Sequence, residues 1–225
     1  MSRHALITGV SSGIGAAIAE LLLQEGWRVT GLSRTLVKRD NPAFISLSVD
    51  LLDTAALKQA LTTLPQVDAV IHAAGMMKAA PLGDLDEKTS EKLWQLHIRV
   101  AEVLANQLAT QLPEGGRIVL IGSRTSTGAA GRSQYVTTKS AMKGMVRSWA
   151  AELAPRGITA NIVAPGATET PMLSQPGRES SPPKLPPIGR YIQPQEVAAL
   201  VSYLLSPAAS AITGQELVIC GGASL

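Results

Sequence analysis

A glycine-rich turn near the start of the chain constrains the fold most strongly. Residues 4–8 (H-A-L-I-T) are an apolar run that leads directly into G-V-S-S-G-I-G at residues 9–15. Residues 14–24 then place apolar side chains at helical spacing, and a second apolar run occupies residues 28–33. A strand, a glycine turn, a helix and a strand within about thirty residues predict a βαβ unit, and therefore a parallel sheet.

The glycines of this turn predict a dinucleotide site. They permit a tight turn and let a pyrophosphate approach the helix N-terminus, where unpaired N–H groups favour anions. The spacing G-x3-G-x-G differs from the commoner G-x-G-x-x-G. We expect the cofactor to contact Gly9, Ser11, Ser12, Gly13, Ile14 and Gly15.

The end of the second strand indicates which dinucleotide binds. In such folds an acid at this point binds the 2′-hydroxyl of NAD, whereas an arginine accommodates the 2′-phosphate of NADP. Here Ser33 and Arg34 occupy the position, and residues 32–34 contain no acid. An ordinary surface arginine is the alternative interpretation. We therefore favour NADP(H) over NAD(H).

Further apolar runs predict the rest of the sheet. Strands are expected at residues 44–48, 68–72, 117–121, 158–164 and 216–219. Helices are expected at residues 54–64 and 86–112, in a segment that carries residues 135–153, and from residue 193 to about 206. The apolar centres of these strands are typical of strands buried on both faces. Asp50 and Leu51 follow the third strand. Three small residues, Ala73, Ala74 and Gly75, follow the fourth, where a cofactor ring could approach the backbone; taken alone, a plain turn explains them better.

A candidate catalytic set follows the fifth strand. Ser123 lies at the carboxyl end of that strand, where open α/β sheets bind their ligands. Tyr135 and Lys139 are four residues apart in a predicted helix and so share one face. An ammonium beside a phenol favours the phenolate and makes an acid/base pair, and a serine hydroxyl nearby could hold a carbonyl oxygen. Alternatively, these are a surface tyrosine and a solvated lysine, because Tyr-x-x-x-Lys is common by chance.

Residues 168–192 contain six prolines and predict a long loop that covers or binds the substrate. Residues near 126–132 are also expected to contact the substrate. Arg124, Arg132 and Arg178 lie in or near these two segments and could meet an acidic substrate. Solvated surface charge is the commoner role for such arginines.

Composition excludes several other classes. A chain of 225 residues is expected to form one domain, here residues 1–225. The net charge is +3, but lysine and arginine are scattered, so no nucleic-acid partner is expected. One cysteine permits no intrachain disulfide, and neither a signal peptide nor an apolar membrane span is seen, so no membrane association and a cytoplasmic location are expected.

Taken together, the motifs resemble those of the short-chain dehydrogenase/reductase family, in the family's order and over essentially the whole chain. Residues 8–15 match its cofactor turn, and Asp50 matches the acid that contacts adenine. Ser123, Tyr135 and Lys139 match its catalytic residues, and residues 212–215 and 221–222 match its C-terminal signature. Further matches to its cofactor-binding segments fall at Ala73, Ala74, Gly75, Pro165, Gly166, Thr168 and Thr170.

The resemblance implies a Rossmann-type doubly wound domain: seven parallel strands in the order 3-2-1-4-5-6-7, with helices on both faces. It implies hydride transfer between a nicotinamide and a small-molecule carbonyl or secondary alcohol. Tyr135 would be the proton donor or acceptor, and Lys139 would assist it and hold the nicotinamide ribose. Ser123 would position the carbonyl oxygen. Homodimers or homotetramers are common in the family.

Two histidines depart from the family pattern. His97 stands on the apolar stripe of the long predicted helix, where the family has an asparagine that helps a water link the lysine to solvent. It is either a substitute in that relay, and hence a candidate catalytic residue, or a core histidine. His72 replaces the first asparagine of the family's Asn-Asn-Ala-Gly motif, which we expect to affect packing more than chemistry. The rival to an enzyme is a non-catalytic NAD(P)-binding sensor or scaffold.

Overall fold

The computed structural model describes residues 2–176 and 181–225. Its seven strands are β1 (His4–Thr8), β2 (Arg28–Ser33), β3 (Phe44–Ser48), β4 (Ala69–His72), β5 (Arg117–Ile121), β6 (Thr159–Pro165) and β7 (Glu216–Ile219). Each lies within one residue of its predicted bounds, and β1, β4, β5 and β6 are buried along their whole length, as expected of parallel strands covered on both faces.

The strands form one parallel sheet in the order β3-β2-β1-β4-β5-β6-β7, which confirms the expected Rossmann-type topology. The order reverses between β1 and β4, where Thr8 lies beside His72. A crevice at such a switch point, outside the carboxyl ends of the strands, is where open α/β sheets bind ligands.

Helices cover both faces of the sheet. They are α1 (Gly13–Gln24), α2 (Thr54–Thr62), α3 (Glu87–Trp94), α4 (Val100–Leu108), α5 (Ser133–Leu153) and α6 (Pro194–Leu205). One core lies between the sheet and the helices α2, α4 and α5, and the other between the sheet and the helices α1 and α6. Alternate strand residues serve the two cores: Ile118 and Leu120 face the first, and Val119 and Ile121 face the second.

The helix predicted at residues 86–112 is not a regular α-helix. A π turn, Gln95–Arg99, joins α3 to α4 and carries His97. The apolar spacing is compatible with either helix type, so the sequence pattern did not reveal the change. π turns release backbone groups from the regular ladder and are frequent at functional sites.

The two ends of the loop at residues 168–192 are joined to each other, and the loop is also bonded to the segment after β7. Thr168 and Ile192 form an isolated parallel bridge, and the Ile188 amide donates to the Gly221 carbonyl. Helix α6 begins with the predicted cap, in which the Gln193 amide donates to Glu196 Oε2 at 2.8 Å. Among the described residues, no helix is both long and apolar enough to cross a membrane.

Candidate active site

A cavity of about 500 Å³ opens at the carboxyl ends of β4, β5 and β6. All four predicted catalytic residues line it: His97, Ser123, Tyr135 and Lys139. Seven of the predicted cofactor residues outside that set also line it: Ile14, Ala73, Gly75, Pro165, Gly166, Thr168 and Thr170. The fold therefore brings together residues that are up to 156 positions apart in the chain.

Ser123 occupies the position predicted for it, two residues beyond the end of β5. Its side chain is buried, and its Oγ lies 2.8 Å from the Thr125 hydroxyl. The Thr125 amide also donates to this oxygen at 3.2 Å. The amide stabilises partial negative charge on the serine oxygen and fixes it at the cavity wall.

Lys139 is buried on α5, and its Nζ donates to the Ile121 carbonyl at 2.8 Å. Burial lowers the pKa of this ammonium from 10.5 to about 7, because the charged form loses solvation. The Nζ atom lies 5.8 Å from the centre of the Tyr135 ring, one helical turn earlier. The lysine charge therefore acts on the phenol across a short, mostly desolvated distance.

His97 packs edge-on against Tyr135, with ring centres 5.7 Å apart. Its Nε2 accepts from the Met76 amide at 3.1 Å, so that nitrogen carries no proton. Its Nδ1 therefore carries the proton and faces the Thr138 hydroxyl at 2.8 Å, which itself donates to the Tyr135 carbonyl. Burial, then Lys139, then His72 keep the pKa of His97 well below 6.5. The ring is neutral with both nitrogens engaged, an arrangement suited to holding neighbours in place.

The glycine turn is shaped as a cofactor cradle. Gly9 has φ +77°, and a Cβ there would lie 2.8 Å from the Ala74 backbone. A Cβ at Gly15 would overlap the Gly9 carbonyl oxygen. Ser12, at the N-cap of α1, makes no side-chain capping bond to any described residue, whereas Asp53 caps α2 with two. The open amides of α1 fit the pyrophosphate of a dinucleotide.

The predicted ribose and adenine residues lie along the same edge of the sheet. The Val49 amide donates to the Ser33 carbonyl, and Ser48 Oγ donates to the Arg34 carbonyl at 2.9 Å. Arg34 is exposed, and its guanidinium makes no hydrogen bond or ion pair within the described parts of the chain. Asp50 is exposed next to buried Leu51, and its Oδ1 accepts from the Leu52 amide at 3.0 Å. These positions fit the adenosine half of a dinucleotide.

Comparison with known proteins agrees with this arrangement. Residues 9–224 match the family described as enoyl-(acyl carrier protein) reductase. Carbonyl reductase family member 4 of Danio rerio is 35% identical over 240 residues, covering 100% of this chain and 99% of that protein. A short chain dehydrogenase family protein from Francisella tularensis superposes with a TM-score of 0.90 at 26% identity, covering 100% of this chain and 99% of that one.

The chain belongs to the short-chain dehydrogenase/reductase family. A second solved structure of similar fold is a blue fluorescent protein from a metagenomic library in complex with NADPH. It is 29% identical, with a TM-score of 0.86, and the match covers 99% of this chain and 98% of that one.

His72, the other departure from the family pattern, is built into the frame of the site. Its Nε2 donates to the Leu96 carbonyl in the π turn at 2.9 Å, so its Nδ1 accepts from the Thr8 hydroxyl at 2.8 Å. That hydroxyl in turn accepts from the amides of Ala73 and Ala74. Burial first, and Lys139 second, lower the pKa of His72 to about 3. One neutral imidazole thus joins β1, the turn after β4 and the π turn.

Sequence patterns did not reveal the contacts that close the cavity on the loop side. Arg132 donates from Nε and Nη2 to the hydroxyl and carbonyl of Ser181, at 2.7 and 2.9 Å. Met76, Met77 and Lys184 also line the cavity. Arg132 was a predicted substrate contact and Lys184 lies in the predicted substrate loop, whereas no sequence pattern marks Met76 and Met77, because they lie in a loop without periodicity. Arg178, a candidate substrate contact, lies outside the described residues.

Proposed function

We propose that this protein transfers a hydride between NADP(H) and a ketone or secondary alcohol. The observation that carries the proposal is the convergence of Ser123, Tyr135 and Lys139 on one cavity beside the open N-terminus of α1. The chain is proposed to act as one domain with residues 168–192 as its substrate loop. We also propose that the protein is cytoplasmic and forms a homodimer or homotetramer, because these assemblies are common in the family.

Each side chain has a place in the reaction. The bound nicotinamide supplies or accepts the hydride. In reduction, the Tyr135 hydroxyl gives its proton to the oxygen that becomes the alcohol, and in oxidation the phenolate takes that proton back. The Lys139 ammonium stabilises the phenolate left by this step. Ser123 Oγ donates to the same substrate oxygen and stabilises its developing charge.

His97 is proposed to position this set. Because both of its nitrogens bond to the protein, it holds Met76 on one side and Thr138, and through it the start of α5, on the other. The relay role considered from the sequence would require one of these bonds to open.

The preference for NADP(H) is proposed from Arg34 and supported by the NADPH complex of a solved relative. We expect Arg34→Gln to weaken NADPH binding about 10- to 100-fold and to change NADH binding less than about threefold, because only NADPH carries the 2′-phosphate. Titration of nicotinamide fluorescence measures both constants. Arg28→Gln, at the opposite end of β2, is the matched control. Equal losses for both cofactors would refute the assignment of Arg34.

The pH dependence of kcat/KM should report the protonation of the buried Lys139. As the pH rises through about 7, the Lys139 ammonium of the free enzyme loses its proton, and phenolate stabilisation is lost with it. We therefore expect kcat/KM for NADPH in ketone reduction to fall about tenfold per pH unit above that point, since this parameter reports the free enzyme. Lys139→Arg keeps its charge and should move the decline above pH 9. A profile that is flat from pH 6 to 9 in the wild type would contradict this role.

A further inference from the structure

The cavity carries strong positive charge. Four cationic side chains line it: Arg124, Arg132, Lys139 and Lys184. Among the lining residues that the structure describes there is no aspartate or glutamate. Such a field concentrates anions and repels cations, so it bears directly on the substrate.

Three of these cations are already bonded to the protein or are exposed to solvent. Lys139 is bonded to the Ile121 carbonyl and serves the reaction. Arg132 is bonded to Ser181 and fastens the loop. Lys184 is exposed at the rim. None of the three is a free, half-buried charge.

Arg124 differs from them. It is half-buried at the cavity wall, and its guanidinium makes no hydrogen bond or ion pair with any residue in the described ranges. A half-buried guanidinium that lines a cavity and has no acceptor within the described residues is open to an anion that binds there. Its planar fork matches a carboxylate with two parallel hydrogen bonds.

The base of this side chain is held firmly. Arg124 begins the short 3-10 segment Arg124–Thr127, in which Thr125 and Ser126 are buried. Ser126 Oγ donates to Glu216 Oε1 at 2.8 Å, which ties the segment to β7. Because Arg124 directly follows Ser123, their Cα atoms are about 3.8 Å apart. Both residues line the same cavity of about 500 Å³, so an anion on Arg124 and a carbonyl held by Ser123 could belong to one small substrate.

We propose that Arg124 selects substrates that carry a carboxylate a few bonds from the reacting carbonyl. This rests on the proposed function. Met76, Met77 and Ala129 line the same cavity and supply apolar contact for the intervening chain. A phosphate at the far end of a carrier arm, as in a coenzyme A thioester, is too distant from the carbonyl for this contact.

The test compares keto acids with their neutral esters. 4-Oxopentanoate and 5-oxohexanoate are assayed beside their methyl esters with NADPH, in the wild type, in Arg124→Gln and in the control Arg28→Gln. We expect at least one acid to exceed its ester in kcat/KM by about tenfold or more in the wild type and in the control. In Arg124→Gln this ratio should fall to about one, while the NADPH dissociation constant changes less than twofold.

Three results would overturn the proposal. One is an ester used as well as its acid by the wild type. Another is an acid-to-ester ratio that survives in Arg124→Gln. The third is a wild-type preference for acetoacetyl-coenzyme A over acetoacetyl-N-acetylcysteamine, which lacks the phosphates, if that preference disappears in Arg124→Gln. Such a result would show that the arginine binds a phosphate distant from the carbonyl.

Binding separates failure of this proposal from failure of the proposed function. Each acid and ester is also titrated into the NADPH complex, with nicotinamide fluorescence as the signal. If neither compound is reduced although NADPH binds, the reductase proposal fails for these ketones. The acid-to-ester ratio of dissociation constants, and its loss in Arg124→Gln, then decides the role of Arg124.

Discussion

Replacing Tyr135 with phenylalanine is expected to lower kcat for ketone reduction by about 10²- to 10⁴-fold, while NADPH binding stays within about threefold of the wild type. The substitution removes the one hydroxyl that gives a proton to the substrate oxygen. It keeps the ring that packs against His97 and lies near Lys139. Stopped-flow or steady-state loss of NADPH absorbance measures turnover, and fluorescence titration measures binding.

Tyr203→Phe is the matched control, because it removes the same atom from an exposed tyrosine on α6. It should leave both quantities unchanged. If Tyr135→Phe reduced ketones at the wild-type rate, the proposed proton transfer would be wrong. If the wild type binds NADPH but reduces no ketone, and Tyr135→Phe keeps the biological effect, the non-catalytic sensor or scaffold becomes the better hypothesis.

The fold could be predicted from the sequence because its main determinants are local. Buried parallel strands are short apolar runs, and a helix that opens on Gly13 and Gly15 must follow a tight turn. The positions of Ser123, Tyr135 and Lys139 in the cavity followed from strand ends and helical spacing. Their chemical roles remain predictions.

Other features of the site depend on tertiary contacts that no local pattern encodes. The π turn at Gln95–Arg99 leaves the Leu96 carbonyl available for a bond outside the helix. His72, at the end of β4, donates a hydrogen bond to that carbonyl. The protonated nitrogen of His97 can be assigned only from its hydrogen bonds to the Met76 amide and the Thr138 hydroxyl. The sequence showed His72 and His97 as isolated departures from a family pattern, whereas the structure shows both as neutral bridges around the lysine.

This neutrality predicts a large loss of stability in mild acid. The folded protein holds His72 with a pKa of about 3 and His97 with a pKa well below 6.5, while both take up protons near pH 6.5 when unfolded. Below pH 6.5 the unfolded state therefore binds more protons, so the free energy of unfolding falls as the pH falls. Between pH 7 and pH 5 the loss from His72 should be about 2 kcal/mol, and His97 should add a further loss of the same sign.

Between pH 7 and pH 5, histidines dominate the pH dependence of the free energy of unfolding. The pKa of Lys139 is lowered from 10.5 to about 7, so its effect on stability changes mostly between those values and contributes less than about 0.5 kcal/mol between pH 7 and pH 5. Aspartate and glutamate side chains titrate mostly below pH 5. The remaining contribution comes from His4, whose pKa burial also lowers.

Urea unfolding of the cofactor-free protein at pH 7, 6 and 5 measures the effect. His72→Asn and His97→Asn place the family's usual residue at each position and remove the titrating group. His72→Asn should lose about 2 kcal/mol less than the wild type between pH 7 and pH 5, and His97→Asn should also lose less, whatever the stability of each variant at pH 7. This comparison of slopes separates titration from packing defects, which shift stability equally at both pH values. A double variant that keeps the full wild-type slope would show that neither histidine is held neutral, and the bonding pattern assigned to both rings would have to be abandoned.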